Sequence, residues 1–551
     1  MNISITGIKV SLDEGEDALS AKLAGILSIP QETVSSLKVI RRSLDARRMR
    51  QPFFVYVVEA VVPDDTELRE IVHEDVTVKA VEGKEKTFVA VSEGFAESEP
   101  SAPCHRVSQV RGNRRAVVVG CGPAGLFAAL TLAERGMPVL LLERGKEVSA
   151  RRRDVEAFWK KGELNRESNV LFGEGGAGAF SDGKLTSRVK NPRIGQVKET
   201  LVELGASPDI LIDAKPHVGT DMLRKVVANF REKLLSYGCE IRFGARVSDF
   251  LISDGRVAGV VINEKEEIPA DRLILAVGQN ADDTYLKLCE RGVSLAAKPF
   301  AMGLRVEHPQ ELINEIQYGK WWPHAALPPA EYFLTASVPR LDRSVYTFCM
   351  CPGGRIVGCS SEPGGVVING MSRSMRDGVY ADSAVVVNVR TGDFLGTPEH
   401  PLQGLTFRRQ WEEKAFFLGG GDYYAPAQGL LDFLEDRESD RLLPTSFMPG
   451  VKAAPLRDTL PAFVTDALKE GLHQFGRKMP GFITKEAMLV GVETRTSSPV
   501  RILRDAQGES VNTAGLYPCG EGAGYAGGII SSALDGIRAA GNLIDSLNGR
   551  L

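Results

Sequence analysis

Short apolar runs and amphipathic stretches follow one another along the chain, and the spacing of their apolar positions predicts its strands and helices. The clearest case covers residues 116–144. Ala116–Val119 and Val139–Leu142 are continuous apolar runs, which are typical of buried strands. The Ala- and Leu-rich stretch between them extends to Arg135 and stops at Gly136, which predicts a helix. The pattern therefore predicts a strand–helix–strand unit.

The region that follows, up to residue 283, keeps the same mixture of helices and strands. Its second helix has Thr220 or Asp221 available as a cap, and the pair Asp254-Gly255 predicts a hairpin turn. The predicted helices are Arg151–Lys161 and Met222–Tyr237, and the predicted strands are Cys239–Phe243, Val247–Ile252, Val257–Asn263, Ile268–Asp271 and Leu273–Val277.

Between residues 284 and 483 strand-like runs predominate, and helical segments follow them. This order predicts a mainly antiparallel sheet with helices, inserted between two parts of the domain that begins at residue 116. The predicted strands are Phe300–Glu307, Glu331–Val338, Val345–Met350, Arg355–Ser360, Gly365–Met371 and Ala384–Arg390, and the predicted helices lie around Arg408–Phe417, Gly429–Glu438 and Leu460–Phe475.

The first 95 residues have a pattern of their own, typical of a small ferredoxin-like α+β domain. Its elements are the strand Ile3–Val10, the helix Asp17–Leu27, the amphipathic run Val34–Leu44, the strand Phe53–Val62, the helix Thr66–His73 and the run Val76–Val81. The whole chain is then predicted as α/β, with an α+β domain at 1–95, a linker at 96–115, a Rossmann-like cofactor domain at 116–283 and 484–551, and the inserted α+β domain at 284–483.

Length and composition limit the class of protein. With 551 residues the chain is too long for one core, and its net charge of −4 argues against bulk binding to nucleic acid or anionic membranes. No apolar run has the length of a membrane span, and the N-terminus has no signal-peptide pattern. The eight scattered cysteines contain no C-x-x-C pair. We expect a soluble, cytoplasmic protein without a disulfide framework.

Three glycines follow the first strand of the strand–helix–strand unit. Gly120, Gly122 and Gly125 have the G-x-G-x-x-G spacing, which permits a tight turn, a close approach of backbone to a pyrophosphate and close packing of helix on strand. The N-terminus of the helix supplies unpaired N–H groups to the phosphates. Glu143, at the end of the second strand, is placed to accept hydrogen bonds from ribose hydroxyls. These features predict a dinucleotide site, for NAD or for FAD.

A second glycine-rich stretch, Asn169–Arg188, follows the charged helix. Gly175, Gly176 and Gly178 leave backbone amides free to approach a flat or anionic ligand, and Lys184 adds a cation. Flavoprotein disulfide reductases carry a redox cysteine pair at about this position, and this stretch has no cysteine. We therefore do not expect disulfide reduction by that mechanism.

The C-terminal region returns to glycine-rich sequence. The strand Leu516–Pro518 leads into Gly520 and Glu521, and a helix is predicted from near Gly527 and Gly528. The motifs GCGPAG, LFGEGGAGAFSDGKL, KPHVGTDML, CMCPGG, ETRTSSPVRI and PCGEGAGYAGGI resemble those of bacterial FAD-dependent dehydrogenases, within the two-dinucleotide-binding-domain flavoproteins of glutathione-reductase-like fold. The resemblance covers nearly the whole chain, including the N-terminal extension.

The resemblance implies FAD rather than NAD as the bound cofactor, together with a redox role. It implies that Glu521 contacts the ribityl or pyrophosphate region, although aspartate usually occupies this place, and that the following helix points its N-terminus at the flavin pyrimidine edge. The residues predicted to bind the cofactor are Gly120, Gly122, Pro123, Ala124, Gly125, Glu143, Arg144, Gly175, Gly176, Ala177, Gly178, Gly278, Gly520, Glu521, Gly527, Gly528 and Ile529.

Candidate catalytic residues are few. Lys184 and Arg495 are the predicted catalytic pair, since either can hold an anionic substrate or the flavin N1–C2 carbonyl edge, with Arg188 and Arg501 as further cations. Weaker candidates are His217 as an acid–base group and Tyr423 and Tyr424 as pocket-lining residues.

The cysteines at Cys349 and Cys351 allow three interpretations: a redox pair, two ligands of a zinc site with His324 and Cys359, or small buried residues of a β core. We favour the last. Cys104 and His105 in the linker lack further ligands nearby, so no metal site is predicted.

The favoured function is an FAD-dependent oxidoreductase that transfers a hydride between the flavin and a small organic substrate, with NAD(P)H as a transient reductant. One alternative is a flavin-dependent RNA-modifying protein guided by the basic stretch Arg41–Arg50. Gln51 and Pro52 interrupt the RNA-binding pattern there, so we do not expect nucleic acid as a partner. The other alternative is a flavin-binding protein that acts in assembly. The sequence leaves the substrate and the oligomeric state open.

Overall fold

The computed structural model describes residues 1–47, 50–66, 68, 76–81, 115–394 and 400–548. Its Cα positions divide into two compact units. The first unit comprises Met1–Gly112, Leu211–Ala214 and Pro323–Leu327, and the second comprises Asn113–Ile210, Lys215–Trp322 and Pro328–Leu551. Most of the predicted linker, residues 96–114, lies outside the described residues, as do Cys104 and His105.

The first unit is an antiparallel sheet with one described α-helix. Its elements are β1 (Asn2–Ser11), α1 (Ala18–Leu27), β2 (Ser35–Asp45), β3 (Phe53–Val61) and β4 (Thr77–Ala80), and the sheet order is β2–β3–β1–β4. Alternate residues of β1, including Ile3 and Ile5, point to one face and pack against Leu19 and Leu23 of α1. The predicted strands and first helix are confirmed, and most of the predicted helix Thr66–His73 lies outside the described residues.

The arginines of the basic stretch are paired within this unit. Arg42 forms ion pairs with Glu16 at 3.2 Å and with Asp213 at 2.9 Å, and Arg47 pairs with Asp45 at 2.6 Å. These contacts agree with the prediction of arginines on a solvated face.

The second unit begins with a parallel sheet. Its first elements are β5 (Ala116–Val119), α2 (Pro123–Glu134), β6 (Val139–Leu142), α3 (Val148–Lys161), α4 (Ile194–Glu203), α5 (Asp209–Ile212, which crosses the boundary between the units), α6 (Thr220–Ser236), β7 (Glu240–Arg242), β8 (Val247–Ser253), β9 (Arg256–Ile262), β10 (Glu266–Pro269), β11 (Leu273–Leu275) and α7 (Asp282–Glu290).

The remaining elements are β12 (Leu295–Ala297), β13 (Phe300–Pro309), α8 (Gln310–Tyr318), β14 (Thr335–Val338), β15 (Arg343–Gly358), β16 (Ile368–Ser372), β17 (Tyr380–Val389), α9 (Gln403–Leu418), β18 (Ala425–Gly429), α10 (Leu430–Leu434), β19 (Val451–Ala453), α11 (Ala462–Lys478), β20 (Met488–Glu493), β21 (Val500–Ile502), β22 (Leu516–Pro518) and α12 (Ile529–Asn548).

The five-stranded parallel sheet has the order β22–β11–β5–β6–β7, so a strand near the C-terminus lies two places from β5. Its strands are buried on both faces. Val118 and Leu141 pack with α2 and α12 on one face, whereas Val117 and Leu140 pack with β8 and β9 on the other. The sheet therefore has helices on one side and the small antiparallel sheet β10–β9–β8 on the other.

The second unit also contains an eight-stranded sheet in the order β14–β15–β17–β13–β20–β18–β19, with β16 paired to β15. All strand pairs of this sheet are antiparallel except β18–β19, so the prediction of a mainly antiparallel sheet is confirmed. β20 belongs to this sheet by pairing, although residues 484–551 are predicted as part of the cofactor domain. The domain boundaries themselves stay a prediction.

Two local predictions are corrected by the structure. Val345–Met350 and Arg355–Ser360 are predicted as separate strands, but both lie in the single strand β15, whose pairing with β17 shifts register twice. The cap of α6 is Gly219, not Thr220 or Asp221. Gly219 has φ of 85°, and a Cβ there would lie 2.1 Å from the backbone nitrogen of Ser374, so this position requires glycine.

The eight-stranded sheet buries several charges. Arg305 on β13 is fully buried and bonds to Asp382 at 2.5 Å and to Glu493 at 2.7 Å. Glu307, two residues along β13, accepts hydrogen bonds from the backbone N–H of Ser446 at 2.9 Å and from its hydroxyl. Each buried charge therefore has a partner from another strand or loop, which burial requires.

Glu307→Gln is expected to flatten the dependence of stability on pH. Burial raises the pKa of Glu307 from 4.5 to about 7. Because the folded state favours the protonated acid, the stability from this group is complete below the unfolded pKa and is lost as pH rises through about 7. A shift of this size corresponds to about 3 kcal/mol.

Urea unfolding of the wild type and the variant between about pH 4 and pH 8 measures this effect. Glu486→Gln, at an exposed position, is the matched control and should keep the wild-type profile. Parallel pH profiles for wild type and Glu307→Gln would contradict the prediction.

Candidate active site

A cavity of about 440 Å³ lies at the carboxyl ends of β5, β6 and β11 in the second unit. The carboxyl ends of parallel strands are the usual location of ligand sites in α/β sheets. The walls include the loop before α2, the end of β6, the glycine-rich stretch after α3, the start of β8, the end of β11 and the segment before α12. The far wall is formed by residues of β15 and β16 and by the segment after β20.

The loop between β5 and α2 has the geometry of a phosphate-binding turn. Gly120 has φ of 100°, and a Cβ on Gly125 would lie 1.8 Å from the carbonyl oxygen of Gly120, so both positions require glycine for packing. Gly122 differs, because a Cβ there would come no closer than 3.8 Å to any described atom outside its immediate neighbours. No side chain caps α2 at Gly122, and Pro123 and Ala124 of its first turn line the cavity.

Glu143, at the end of β6, holds three backbone segments together. Its carboxylate accepts hydrogen bonds from the N–H groups of Cys121 at 2.8 Å, Gly145 at 2.8 Å and Gly173 at 3.0 Å. Its side chain also lines the cavity. Glu143 therefore holds the loop before α2 against the glycine-rich stretch. Its contact with the ribose hydroxyls stays a prediction.

The glycine-rich stretch packs directly on the loop before α2. A Cβ on Gly176 would lie 3.0 Å from the Cα of Gly122, and the N–H of Gly175 donates to the Cys121 carbonyl at 2.8 Å. Arg151 on α3 is fully buried beneath this stretch, and its guanidinium donates to the carbonyl oxygens of Asn169, Val170 and Glu174 at 2.8, 2.8 and 2.6 Å. Arg151 thus holds the backbone of the glycine-rich stretch in place.

The C-terminal segment reaches the same cavity. A Cβ on Gly536 of α12 would lie 2.0 Å from the carbonyl oxygen of Ala124, and one on Gly520 would lie 2.8 Å from the Ala124 side chain. Helices α2 and α12 are therefore in direct contact, with the N-terminal residue Ile529 of α12 on the cavity wall. The two ends of the second unit meet at one site, and both helices begin there.

A pair of polar side chains lies between these segments. The Gln279 amide donates to the Arg495 carbonyl at 2.8 Å and to Glu521 at 3.2 Å. Burial raises the pKa of Glu521 to about 7, and Lys298 opposes this shift. The Gln279 Oε1 atom is buried and has no hydrogen-bond partner among the described residues.

Lys184 reaches the cavity from the glycine-rich stretch. Its ammonium donates to the Met350 carbonyl and lies 3.5 Å from the buried carboxylate of Asp182. Burial would lower the pKa of Lys184, but the negative charge of the cysteine pair Cys349 and Cys351 and of Asp182 outweighs it, and the pKa is raised. Lys184 is therefore a cation in the cavity wall.

Arg495 also lies on the cavity wall, but its guanidinium is engaged with protein groups. It forms a bidentate ion pair with Glu412 of α9 at 2.9 and 2.8 Å, and it donates to Ser361 at 3.0 Å and to Asn280 at 3.3 Å. Arg495 and Glu412 are both buried. This pairing argues against the predicted role of Arg495 as the anchor of an anionic substrate.

The weaker candidates lie away from the cavity wall. His217 bonds to the Ser374 carbonyl at 3.0 Å, and burial, helped by Arg376, lowers its pKa. Tyr423 packs against Phe158. The others do not line the cavity either; these are Tyr424, Arg188 and Arg501.

Among the described residues, no three His, Cys, Asp or Glu side chains are grouped closely enough to hold a metal ion. The helices in the described part of the chain are too short or too polar to cross a bilayer.

Family models match three parts of the chain. Residues 299–496 match a family described as "FAD-dependent protein, C-terminal domain-like", residues 115–162 match "FAD binding domain", and residues 2–61 match a domain of unknown function, DUF8436. An uncharacterized protein of Clostridium beijerinckii is 44% identical over 551 residues, which covers 100% of this chain and 99% of that protein.

The chain belongs to the bacterial FAD-dependent oxidoreductases. FAD is its cofactor.

Other relatives of this FAD-dependent oxidoreductase match only in part. A D-amino-acid oxidase of Rubrobacter xylanophilus is 32% identical over 163 residues, covering 28% of this chain and 46% of that protein. A digeranylgeranylglycerophospholipid reductase of Methanococcoides burtonii is 30% identical over 185 residues, covering 31% of this chain and 41% of that protein. Among solved structures, CtdE in complex with FAD has a TM-score of 0.30 at 11% identity, with 77% of this chain and 82% of that chain covered.

The residues at the site fit FAD. A Cβ on Gly278 or Gly527 would meet nothing within 4 Å, and both positions line the cavity, so backbone there is open to a ligand. The uncapped start of α2 offers N–H groups for a diphosphate. The unpaired Gln279 Oε1 offers an acceptor to a ligand donor. An extended ligand with phosphates and hydrogen-bonding groups matches this set.

Most of the predicted cofactor residues are brought together on the cavity wall. Gly125 and Gly175 are not; they lie behind the wall and shape it through packing and one hydrogen bond. The predicted cofactor residues that line the cavity are Gly120, Gly122, Pro123, Ala124, Glu143, Arg144, Gly176, Ala177, Gly178, Gly278, Gly520, Glu521, Gly527, Gly528 and Ile529.

Sequence reasoning missed several wall residues. Gln279 and Asn280 directly follow Gly278, so their place after the strand could have indicated them. Asn369 lies in β16 and has no local sequence pattern that indicates a ligand site, and Cys359, considered above only as a zinc ligand, directly follows β15. Cys349, interpreted from sequence as a core residue, also lines the cavity.

Proposed function

We propose that this oxidoreductase transfers a hydride between FAD and a small organic molecule held in the cavity. The observation that supports this most is the meeting of the loop before α2, the glycine-rich stretch and the start of α12 at one cavity. Beyond these segments the cavity continues to side chains of the inserted region, among them Asn369. A cofactor and a substrate can therefore lie side by side.

We assign the predicted cofactor residues as follows. The N–H groups at the start of α2 hold the diphosphate, and Gly122 gives it room. Glu143 accepts from the ribose hydroxyls, and Glu521 from the ribityl chain. The start of α12, at Ile529, directs its positive dipole end at the pyrimidine edge.

FAD, when bound, supplies the two-electron hydride chemistry. The chain's own residues then bind and orient the substrate and place a positive charge beside it. Lys184 attracts an anionic group of the substrate or polarises a carbonyl, since its ammonium stays protonated beside Asp182. Arg495 acts as a positioning residue that fixes the wall through Glu412.

NAD(P)H is proposed as a transient reductant, because the G-x-G-x-x-G spacing lies within a strand–helix–strand unit at Gly120–Gly125, and its other occurrences, at Gly173–Gly178 and Gly522–Gly527, do not. The cofactor domain is proposed to be Rossmann-like, with the eight-stranded sheet as the inserted substrate domain and residues 1–95 as a ferredoxin-like extension.

The test is spectroscopic. We expect the purified protein to be yellow, with flavin absorbance that bleaches under anaerobic conditions on addition of NADPH, NADH or dithionite. Bleaching by dithionite alone would remove NAD(P)H from the proposal and leave the flavin. A colourless protein that added FAD does not restore would overturn the proposed function.

A further inference from the structure

The strand β15 is distorted where it passes the cavity. Its pairing with β17 shifts register between Phe348 and Cys351 and again between Cys351 and Gly354. Cys349 has φ of 46°, in the left-handed region that non-glycine residues rarely adopt. Bulges of this kind turn a side chain away from its regular direction, and they occur often next to active sites.

The distortion gives Cys349 and Cys351 different surroundings. Cys349 lines the cavity, whereas Cys351 is fully buried and does not. The Cys351 sulfur lies 3.3 Å from the Cys349 carbonyl oxygen. Cys349 therefore lies on the cavity wall, and Cys351, two residues along the strand, is buried behind it.

Charged groups surround this pair. Lys184 donates to the carbonyl of Met350, the residue between the two cysteines, and Arg305 donates to the Cys349 carbonyl at 3.2 Å. The acids that face these cations are Asp182 beside Lys184, and Asp382 and Glu493 beside Arg305.

These charges favour a thiolate at Cys349. Its pKa is lowered, because the hydrogen bond from the Cys351 thiol to the Cys349 thiolate, together with the attraction of Lys184 and Arg305, outweighs burial and the repulsion of Asp182. The pKa of Cys351 is raised well above its usual value by the same hydrogen bond and by burial. The pair thus combines one thiolate with one protonated thiol, which thiol–disulfide exchange requires.

We propose that Cys349 and Cys351 form a thiol redox site that reduces small disulfides entering the cavity. The Cys349 thiolate attacks one sulfur of the disulfide, forms a mixed disulfide and releases the first thiolate product. Cys351 then loses its proton and attacks the Cys349 sulfur, which forms the Cys349–Cys351 disulfide and releases the second product, and this product takes the proton. The substrate gains two electrons and the cysteine pair loses two.

This site goes beyond the proposed hydride transfer and uses a different part of the same cavity wall. It also differs from a cysteine pair on the glycine-rich stretch, which the sequence lacks. Other described cysteines have different surroundings. Cys121 and Cys519 are buried, and burial raises the pKa of each. Cys289 is half-buried and lies outside the cavity wall, so it serves as an internal control.

The first measurement is alkylation of the flavin-loaded protein by iodoacetamide between about pH 4 and pH 8, read by peptide mass spectrometry. At about pH 6 a thiol with a lowered pKa carries much more thiolate than an ordinary thiol, which is less than about 1% thiolate, and the lower nucleophilicity of the thiolate of low pKa offsets part of this difference. We expect Cys349 to react about tenfold faster than Cys289 at this pH. Lys184→Met should raise the pH at which the alkylation rate of Cys349 reaches half its maximum. Equal rates at the two cysteines would overturn the proposal.

The second measurement is a single turnover with 2-hydroxyethyl disulfide, in a Cys289→Ser background. The parent should release two thiol equivalents and yield a peptide with a Cys349–Cys351 bond. Cys351→Ser should release one equivalent and keep a mixed disulfide on Cys349, and Cys349→Ser should release none. Absence of the internal bond in the parent would overturn the proposal. Flavin absorbance is recorded separately, so a failure here is distinct from a failure of the proposed hydride transfer.

Discussion

Gly122→Ala is expected to weaken FAD binding by about a hundredfold, equivalent to about 2.7 kcal/mol, while the fold persists. The backbone at Gly122 has φ of −81° and ψ of −178°, which alanine adopts without strain. A Cβ at this position would lie no closer than 3.8 Å to the rest of the protein. The added methyl group therefore clashes only with a ligand that approaches the N–H groups at the start of α2.

The neighbouring glycine provides a contrast. A Cβ on Gly125 would lie 1.8 Å from the Gly120 carbonyl, so Gly125→Ala forces helix and strand apart and should destabilise the protein whether or not FAD is present. Gly125→Ala should therefore weaken both the fold and FAD binding, whereas Gly122→Ala should weaken FAD binding and keep the fold.

Flavin fluorescence titration of the apoprotein measures the affinity, and thermal unfolding of the apoprotein measures the fold. Gly541→Ala is the matched control, because Gly541 lies within α12 and a Cβ there would meet nothing within 4 Å. This control should bind FAD as the wild type does and gain up to about 1 kcal/mol of stability. Wild-type affinity in Gly122→Ala would show that the diphosphate does not lie at this loop.

The elements nearest the cofactor could be predicted well from sequence. The bounds of β5, β6 and β22 agree with the predicted strands Ala116–Val119, Val139–Leu142 and Leu516–Pro518. These strands are short apolar runs, and Gly120, Glu143 and Gly520 stand within two residues of their ends, so local sequence determines them. The hairpin of β8 and β9 is likewise confirmed, because Asp254 and Gly255 both have positive φ, as its turn requires.

Prediction failed where distant side chains decide the structure. Nothing near Arg495 in the sequence indicates that Glu412, on another helix, occupies its guanidinium. Nothing near Cys349 indicates the bulges that turn it towards the cavity, since its apolar neighbours fit a regular strand equally well. Arg151 appears in sequence as one of several charges on a helix, and only its contacts show that it supports the glycine-rich stretch. In each case the partner lies in another segment, and periodicity contains no information about it.

The two cations of the predicted catalytic pair therefore have different roles. Among the described residues Lys184 has one acidic partner, at 3.5 Å, its ammonium also donates to the Met350 carbonyl, and it lines the cavity together with Cys349. Arg495 has a bidentate carboxylate and two further acceptors. A ligand anion could replace the long contact between Lys184 and Asp182, whereas it would have to break a bidentate buried ion pair to reach Arg495.

Arg495→Met is expected to destabilise the protein by about 3–5 kcal/mol, because it leaves the buried carboxylate of Glu412 without its bidentate partner. Glu412→Leu should cost a similar amount by leaving the guanidinium unpaired. The double variant should recover most of the loss, because two apolar side chains can replace a buried ion pair at small cost. Urea unfolding of all four proteins gives the coupling energy of the pair.

Arg188→Met, at an exposed position, is the matched control for this double-mutant cycle and should change stability by less than about 0.5 kcal/mol. The cycle also decides between the two roles of Arg495. If Arg495 positions the cavity wall, the double variant regains FAD binding together with stability, since the wall is again packed. If Arg495 anchors a substrate instead, Arg495→Met would keep wild-type stability and raise KM alone, and this result would contradict the assignment of Arg495 as a positioning residue.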